Sequence, residues 1–479
     1  MIGREKEINE LENLYHKNSS TLLALYGRRR IGKTYLINHV FNNRLSFKHT
    51  GLSPLEKENL TDDEFNAKQL EHFYNSLLDV NFKCDVIPKN WMQAMQYLKQ
   101  YIKSLDQNKK QVIFIDELPW LDYPKSDFFL AFEGFWNNFG SCTDNLLCII
   151  CGSATSWMLN KIINNHGGLY GRVNYEMKLS PFTLLETEEY FLENEIVLPR
   201  EEITKAYMAV GGIPYYLGYF EKGESLAQNI NRLFFEKNAK LQNEFNRLFA
   251  SVFNNYEQVK KIVILLSKSN NGYNRKQICE RLNISDGGSL SEMLNSLIAC
   301  DFLTKYYSAF ASKRDVYYKL VDPFCIFYLK FVQNKVNLEP DLFKIAYSSP
   351  AVINFYGHAF ENVCFNHTLQ IKKALGIEGV VTEFLPFKSN YEDDINTQID
   401  MIIIRNDRVI NICEIKFKSI NFIVDSEYYV KVCRRQELIE TKIPKKYIIV
   451  NTLICSSKLA KNSYSGVFNK VITLDDLFK

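Results

Sequence analysis

Short apolar runs alternate with helical stretches from residue 21 to about residue 180. The runs "TLLALYG", "QVIFIDE" and "NLLCIICGS" have the length of strands and are apolar almost throughout. Strands that are apolar on both faces are typical of a parallel sheet covered by helices on both sides. The pattern therefore predicts an α/β domain over this part of the chain.

The pattern changes after residue 180. From about 181 to 245 it is helical, as in "LLETEEYFLENE" and "EITKAYMAVGG", which predicts a small helical subdomain. Residues 256–322 contain three helical stretches followed by the strand-like runs "TKYYSAF" and "DVYYKLVD". Three helices and a hairpin in this order predict a winged helix.

The C-terminal part predicts a second α/β unit. A helix near 351–374 precedes the strand-like runs "TQIDMIIIRN", "RVINICEIKF" and "KKYIIVNTL". A chain of 479 residues exceeds what one hydrophobic core usually supports, so several domains are expected. The predicted fold class is α/β, with domain boundaries at 1–180, 181–250, 251–335 and 336–479.

Composition is ordinary, but the charge is unevenly distributed. The chain is 46% hydrophobic and 24% charged, which indicates a folded protein and excludes a disordered one. Its net charge is only +3, yet residues 401–479 carry 14 Lys and Arg against 8 Asp and Glu. A basic C-terminal end suits a polyanionic partner, and a solvated surface of mixed charge explains the same counts equally well.

The cysteines and the N-terminus point to the cytoplasm. The eleven cysteines are scattered, and the close pair Cys148 and Cys151 falls in an apolar run. Residues three apart in a strand face opposite sides, so this pair cannot chelate one metal ion. Dispersed thiols suggest a reducing compartment. The N-terminus "MIGREKEINE" is charged where a signal peptide is apolar, and no apolar run has the length of a membrane span, so no membrane partner is expected.

A glycine-rich loop follows the first apolar run. The segment "GRRRIGKT" fits G-x-x-x-x-G-K-[ST] between a strand and a helix, which is the context of a phosphate-binding loop. Backbone N–H groups and Lys33 would contact the phosphates of ATP, and the Thr34 hydroxyl would bind Mg²⁺. The alternative is a glycine-bearing turn with a basic surface. The predicted nucleotide-binding residues of this segment are Gly27, Arg28, Arg29, Arg30, Ile31, Gly32, Lys33, Thr34 and Tyr35.

Four further residues suit ATP hydrolysis. Asp116 and Glu117 end the run "VIFIDE", where the first would hold Mg²⁺ and the second would orient or deprotonate water. Ser153 ends the adjacent run and could direct a hydroxyl at the γ-phosphate or the water; otherwise it only ends a strand. Arg172 precedes another strand and could reach the nucleotide of a neighbouring subunit in a homo-oligomer; otherwise it is a surface arginine at a turn.

These segments together resemble a known family. "IGREKEINEL" at 2–11, the phosphate loop, "VIFIDELPWL" at 112–121, "CGSATSWM" at 151–158, "LYGRV" at 169–173 and "GGIPYYL" at 211–217 are similar to the archaeal-type P-loop ATPases of the AAA+/STAND group. The resemblance implies that Ile2 and Gly3 lie near the adenine and that Pro214 packs near the nucleotide.

A second set of charged residues lies in "QIDMIIIRNDRVINICEIKFK", which predicts a hairpin. Glu414 and Lys416 share one face of its second strand, and Asp400 on the first strand can join them. Two carboxylates and a lysine on one face suit metal-dependent phosphodiester hydrolysis, with Asp400 and Glu414 as metal ligands. The alternative is a polar strand face with a cross-strand charge set.

This second set resembles the PD-(D/E)xK restriction-endonuclease-like fold. In that fold an acidic residue on the preceding helix often completes the metal site, and Glu361 in "YGHAFENVCF" matches its position. The resemblance implies a nuclease-like C-terminal domain that acts on nucleic acid, with DNA as the expected partner.

The winged helix is less typical of a DNA reader. Its third helix, expected at about Gly288–Leu303, contains no Lys or Arg, so phosphate contacts would have to come from Lys305, Lys313, Arg314 and Lys319 in the wing. Docking within the chain or to a partner explains such a helix as well. Two hypotheses therefore remain for the whole chain: an ATPase that gates a nuclease, and a nucleotide-dependent switch or scaffold whose C-terminal domain binds without cleaving.

Overall fold

The computed structural model describes residues 1–53, 57, 60–84, 86–164, 167–169, 171–250, 252–253, 255–312, 315–333, 342–388 and 397–479. They form two compact units. The first unit contains Met1–Pro181, Asn246–Val259 and Asn295–Cys300, and the second contains Phe182–Phe245, Lys260–Leu294 and Asp301–Lys479.

The first unit is built on a parallel sheet. Its strands are β1 (Thr21–Tyr26), β2 (Leu45–Thr50), β3 (Gln111–Asp116), β4 (Leu146–Gly152) and β5 (Tyr175–Lys178), in the order β2-β3-β4-β1-β5. Every neighbouring pair is parallel, which confirms the predicted α/β class. Strands β1, β3 and β4 are buried at every residue. Strand β2 is only partly buried at the edge of the sheet, and its polar sequence gives a weak signal.

The α-helices within Met1–Pro181 are α1 (Glu5–Tyr15), α2 (Lys33–Phe41), α3 (Asp62–Asp79), α4 (Trp91–Ser104), α5 (Phe128–Asn138) and α6 (Thr155–Trp157). Helix α4 shows why they pack on the sheet: Ala94, Leu98 and Ile102 recur every four residues and are buried. They belong to a core cluster that also contains Ile113 of β3 and Phe132 of α5.

Helices make up the regular structure from residue 182 to about 250, which agrees with the helical pattern predicted for about 181–245. They are α7 (Leu184–Glu193), α8 (Arg200–Val210), α9 (Pro214–Leu217), α10 (Leu226–Phe234) and α11 (Glu244–Ala250). The following elements are α12 (Tyr256–Leu266), β6 (Tyr273–Asn274), α13 (Arg275–Leu282), α14 (Gly288–Ala299), β7 (Leu303–Tyr306) and β8 (Tyr317–Leu320). The three strands form an antiparallel sheet in the order β6-β8-β7.

The third helix of this predicted winged helix is shorter than expected. It ends at Ala299, and Leu303 already begins β7. The cause lies at Asp301, whose φ of 60° takes the backbone out of the helical region. Lys313 and Arg314 of the wing lie outside the described residues.

The C-terminal part contains a mixed sheet. Its elements are α15 (Pro323–Phe331), α16 (Leu342–Ala346), α17 (Pro350–Asn366), α18 (Thr368–Leu375), β9 (Thr382–Lys388), β10 (Gln398–Arg405), β11 (Val409–Lys416), α19 (Ser426–Lys442), β12 (Ile448–Cys455) and β13 (Lys470–Thr473). The order is β13-β12-β11-β10-β9. The predicted hairpin of β10 and β11 is confirmed as an antiparallel pair, and β11, β12 and β13 are parallel. The single helix expected near 351–374 is divided at His367.

His367 fixes this division through two hydrogen bonds. Its Nδ1–H donates to the Val363 carbonyl oxygen at 2.8 Å, and its Nε2 accepts from the Leu184 N–H at 3.0 Å. Burial lowers the pKa of His367 to about 4. The ring is therefore neutral over most of the pH range. Over the described ranges, no helix is both long and apolar enough to span a membrane.

We expect this buried histidine to make the second unit sensitive to acid. The folded state takes up its proton only near pH 4, whereas the unfolded chain takes it up near the ordinary value of about 6.5, so stability falls as the pH drops through that window. In His367→Gln, the melting temperature should fall less between pH 7 and pH 5 than in the wild type. The exposed His16→Gln is the control. An equal fall in His367→Gln and the wild type would contradict this account.

Candidate functional site

The predicted nucleotide-site segments follow strands that lie side by side. The loop after β1 begins at Gly27, Asp116 ends β3, and Ser153 follows β4, which pairs with both β1 and β3. Because the three strands are parallel, their carboxyl ends meet at one edge of the sheet. Residues from distant parts of the sequence therefore lie together at this edge.

The loop between β1 and α2 has the backbone that an anion site needs. Gly27, Arg30 and Gly32 have φ angles of 145°, 74° and 89°. A Cβ at Gly27 would lie 2.3 Å from the carbonyl oxygen of Leu179, so this position requires glycine. Such conformations turn successive N–H groups inward beside the N-terminus of a helix, where they can bind phosphate.

Lys33 is the first residue of α2, and its ammonium group hydrogen-bonds to the loop that precedes the helix. The residue is buried, and its Nζ donates to the carbonyl oxygens of Gly27 at 2.9 Å and Arg28 at 3.0 Å. The ammonium group therefore already lies inside the loop that the sequence predicts to surround phosphates. A phosphate oxygen forms a stronger, charge-assisted bond than a carbonyl oxygen, so it can replace these partners.

Two hydrogen-bonded pairs connect the loop, β3 and β4. The Thr34 hydroxyl donates to Asp116 Oδ2 at 2.6 Å. Glu117 Oε2 accepts from the Ser153 hydroxyl at 2.8 Å and from the Ser153 N–H at 3.1 Å. Hydroxyl and carboxylate oxygens are ligands that suit Mg²⁺, so the chemistry of Thr34 and Asp116 fits the predicted ion. The contact between Ser153 and Glu117 is one that the sequence does not predict.

The other predicted residues of the loop have mixed surroundings. Arg28 and Ile31 are buried, and the Arg29 guanidinium lies 5.6 Å from the centroid of the Trp120 ring. Tyr35 is 63% exposed on α2. Their contacts with a nucleotide stay predictions.

Four predicted residues lie outside the loop and the ends of β3 and β4: Ile2, Gly3, Arg172 and Pro214. Ile2 and Gly3 precede α1, where the next residue, Arg4, donates to the Ser180 carbonyl oxygen at 2.6 Å. Arg172 is exposed, and Pro214 begins α9 in the second unit. The roles of Arg172 and Pro214 in nucleotide binding stay predictions.

The second predicted site lies on the hairpin of β10 and β11. Lys416 forms an ion pair with Glu414, and its Nζ lies 4.0 Å from Asp400 Oδ2. Asp400 Oδ2 also accepts from the Ile415 N–H at 3.0 Å. The alternation of side chains along a strand therefore brings these three charged groups together, as expected.

Helix α19 adds two residues that sequence reasoning misses. The Tyr428 hydroxyl donates to Glu414 Oε1, and the Arg435 guanidinium pairs with Glu414 Oε2. Tyr428 and Arg435 are seven positions apart, so they share one face of the helix. That spacing is the available signal, but many charged residues of α19 have similar spacings.

These contacts shift the pKa values of Asp400 and Glu414 in opposite directions. Burial and the nearby charge of Glu414 raise the pKa of Asp400 to about 6. Burial also acts to raise the pKa of Glu414, but the cations Lys416 and Arg435 outweigh it and lower that pKa. Asp400 is therefore the carboxyl that takes up a proton first.

Glu361 lies on α17 and influences this site from the neighbouring helix. Its charge contributes to the raised pKa of Asp400, and its Oε1 lies 3.4 Å from Nδ1 of His358. In the part of the chain that the structure describes, no three His, Cys, Asp or Glu side chains are grouped to hold a metal ion. Both oxygens of Glu414 contact other side chains, and the ligand set of Glu361, Asp400 and Glu414 stays a prediction.

Residues 1–220 match the model of a family described as an ATPase domain predominantly from Archaea. The uncharacterized protein MJECL04 of Methanocaldococcus jannaschii is 24% identical over 94% of this chain and 94% of its own length. The uncharacterized ATP-binding protein MJ0074 of the same organism is 28% identical over 46% of this chain and 69% of its own.

A solved structure has a similar fold. The Walker-type ATPase PABY2304 of Pyrococcus abyssi aligns with a TM-score of 0.50 at 19% identity, over 69% of this chain and 96% of its own. At this identity the likeness shows the fold alone. It is consistent with the five parallel strands of the first unit.

We expect Asp400→Asn to stabilise the protein above neutral pH when EDTA removes metal ions. The unfolded chain loses the Asp400 proton near pH 4 and the folded chain near pH 6, so ionisation costs stability above that window. The melting temperature should rise by about 2 °C or more at pH 8 and hardly at pH 4. Asp407→Asn, whose carboxylate pairs with Arg405, should show no such gain. A lower melting temperature of Asp400→Asn at pH 8 would be inconsistent with a raised pKa.

Proposed function

We propose that this chain, which carries an ATPase domain of the archaeal type, hydrolyses ATP and thereby controls a metal-dependent phosphodiesterase in its C-terminal part. The observation that carries the proposal is the set of contacts at the edge of the parallel sheet. A buried lysine, a hydroxyl hydrogen-bonded to an aspartate and a neighbouring glutamate are groups of the kind that ATP hydrolysis uses, which supports the proposal.

Each residue at the sheet edge has a role in this proposal. The N–H groups of the loop and Lys33 hold the β- and γ-phosphates, and Thr34 and Asp116 hold Mg²⁺, which neutralises phosphate charge when bound. Glu117 orients the attacking water. Ser153 holds Glu117 through two hydrogen bonds, and its hydroxyl can instead donate its hydrogen bond to the γ-phosphate or the water.

The outer residues complete the nucleotide site in this proposal. Ile2 and Gly3 contact the adenine, and Pro214 packs near the nucleotide. Arg172 is exposed, which suits a residue that reaches the nucleotide of a neighbouring subunit in a homo-oligomer.

The C-terminal site would act on nucleic acid, with DNA as the foremost substrate. Asp400 and Glu414 are the residues that would hold Mg²⁺, with Glu361 near them, and the metal would supply Lewis acidity at the phosphodiester. Lys416 contacts Glu414 and lies near Asp400, so its charge can stabilise the negative charge that develops on the phosphate. The basic balance of residues 401–479 supports a polyanionic partner.

One observation favours the alternative of a nucleotide-dependent switch or scaffold. Glu414 is held by Lys416, Tyr428 and Arg435, so a metal ion would have to displace at least one of them. A site that keeps these contacts would bind nucleic acid without cleaving it. Nucleotide state would then control assembly through the helical parts of the chain.

Replacing Lys33 with Ala should lower ATP turnover about 100-fold or more, since one preorganised group that stabilises developing charge typically contributes that much. Steady-state phosphate release by the full chain measures the effect. Lys68→Ala on α3 removes an exposed lysine and should leave turnover unchanged. If Lys33→Ala hydrolyses ATP like the wild type, the loop is not the nucleotide site.

Replacing Glu414 with Gln should abolish Mg²⁺- or Mn²⁺-dependent cleavage of linear, nicked and single-stranded DNA, because it removes a metal ligand while preserving size. The exposed Glu427→Gln on α19 is the control. Cleavage by Glu414→Gln at the wild-type rate would discard the site. Stimulation of wild-type cleavage by ATP supports the gated nuclease. No cleavage together with nucleotide-dependent oligomerisation supports the switch.

A further inference from the structure

The loop between β7 and β8, the wing of the predicted winged helix, packs against the C-terminal sheet within the second unit. The Ala309 N–H donates to the Pro386 carbonyl oxygen at 2.9 Å, and the Lys388 N–H donates to the Ser308 hydroxyl at 3.0 Å. Ala309 is also buried in a core cluster with residues of β9 and β10. Ser308 and Ala309 of the wing are therefore held by β9.

This packing brings the sheet of β6, β8 and β7 close to the start of β10. Asn271, just before β6, donates to the side-chain oxygen of Gln398 at 3.3 Å, and Gln398 begins the strand that carries Asp400. Burial lowers the pKa of Lys319 on β8, whereas the negative charges of Glu361 and Asp400 act to raise that pKa. Its ammonium group therefore belongs to the electrostatic surroundings of Asp400, although the two residues come from different predicted domains.

Lys319 also lines a cavity of about 400 Å³ in the second unit. The cavity has a basic rim of Lys268, Lys319, Lys330 and His358, and its described lining residues include no Asp or Glu. An apolar wall that includes Phe355 lies behind this rim. Cavities of this size, with apolar walls and a few charged groups, are typical of sites for small organic ligands.

We propose that this cavity binds the terminal nucleotide of a nucleic-acid strand and that Lys319 holds its terminal phosphate beside the Asp400 and Glu414 site. The lysines provide the charge that recognises a phosphate, and Phe355 provides an apolar surface for a base or sugar. A single inorganic phosphate would leave most of the cavity unfilled. The inference extends the proposed function by naming the part of the substrate that is recognised. Only the cleavage of that substrate rests on the proposed function.

Fluorescence anisotropy of the full chain, with Glu414→Gln to prevent cleavage, tests the proposal. The probes are single-stranded DNA oligonucleotides with a 5′-phosphate, a 3′-phosphate or no terminal phosphate, and AMP serves as a competitor. One phosphorylated form should bind about tenfold more tightly than the unphosphorylated form, as expected for one charge-assisted contact. If AMP competes as strongly as the unlabelled phosphorylated oligonucleotide, the ligand is a free nucleotide. That result would overturn the proposal that the cavity binds a strand end.

Lys319→Gln should reduce this preference to less than twofold, and Lys319→Arg should retain part of it. The control is Lys373→Ala, which removes an exposed lysine from α18. Lys330→Glu adds a negative charge at the exposed rim and should also reduce the preference, so the test holds even if Lys319→Gln unfolds. A purely structural role of Lys319 would change the melting temperature but not the preference for phosphorylated ends.

The outcomes separate the two proposals. The inference would be overturned if Lys319→Gln and Lys330→Glu kept the full preference for phosphorylated ends, or if the Glu414→Gln protein showed no such preference. Either result would overturn it even if the wild type cleaves DNA. A phosphate preference that depends on Lys319 in a chain that cleaves no DNA would support the inference and reject the nuclease.

Discussion

The parallel order of β3, β4 and β1 is the constraint on which the proposed nucleotide site depends. Register pairs Tyr26 with Gly152 and Ile115 with Ile150, so the three strands end at nearly the same level. Each strand is buried on both faces, and a shift of one residue would exchange the side chains that face each helical layer. The contacts of Thr34 with Asp116 and of Ser153 with Glu117 follow from this alignment.

The C-terminal site depends on electrostatics rather than on strand register alone. The hairpin sets Asp400 beside Glu414, and two like charges in a buried place repel each other. Lys416 and Arg435 neutralise Glu414, whereas Asp400 keeps the higher pKa. The charge of Asp400 also acts on Lys319 of β8. The charge balance of the site therefore requires residues from three separate stretches of the chain.

Sequence patterns are sufficient where local periodicity decides the structure. The buried strands β1, β3 and β4 and the hairpin of β10 and β11 follow from runs of apolar residues and from alternation, and so do the positions of Asp116 and Glu414. Strand β2 is harder to predict because "LSFKHT" lies at the edge of the sheet and is largely polar. The contacts of Arg435 with Glu414, and of the wing with β9, join residues distant in sequence, and no local period encodes them.

An experimental structure of the full chain with Mg²⁺ and a non-hydrolysable ATP analogue tests the central claim most directly. The account predicts that the β- and γ-phosphates lie against the N–H groups of the loop from Gly27 to Thr34, with Lys33 Nζ transferred from the carbonyl oxygens of Gly27 and Arg28 to the phosphates. At saturating analogue, a loop without nucleotide, in which Lys33 still donates to those carbonyl oxygens, would contradict it.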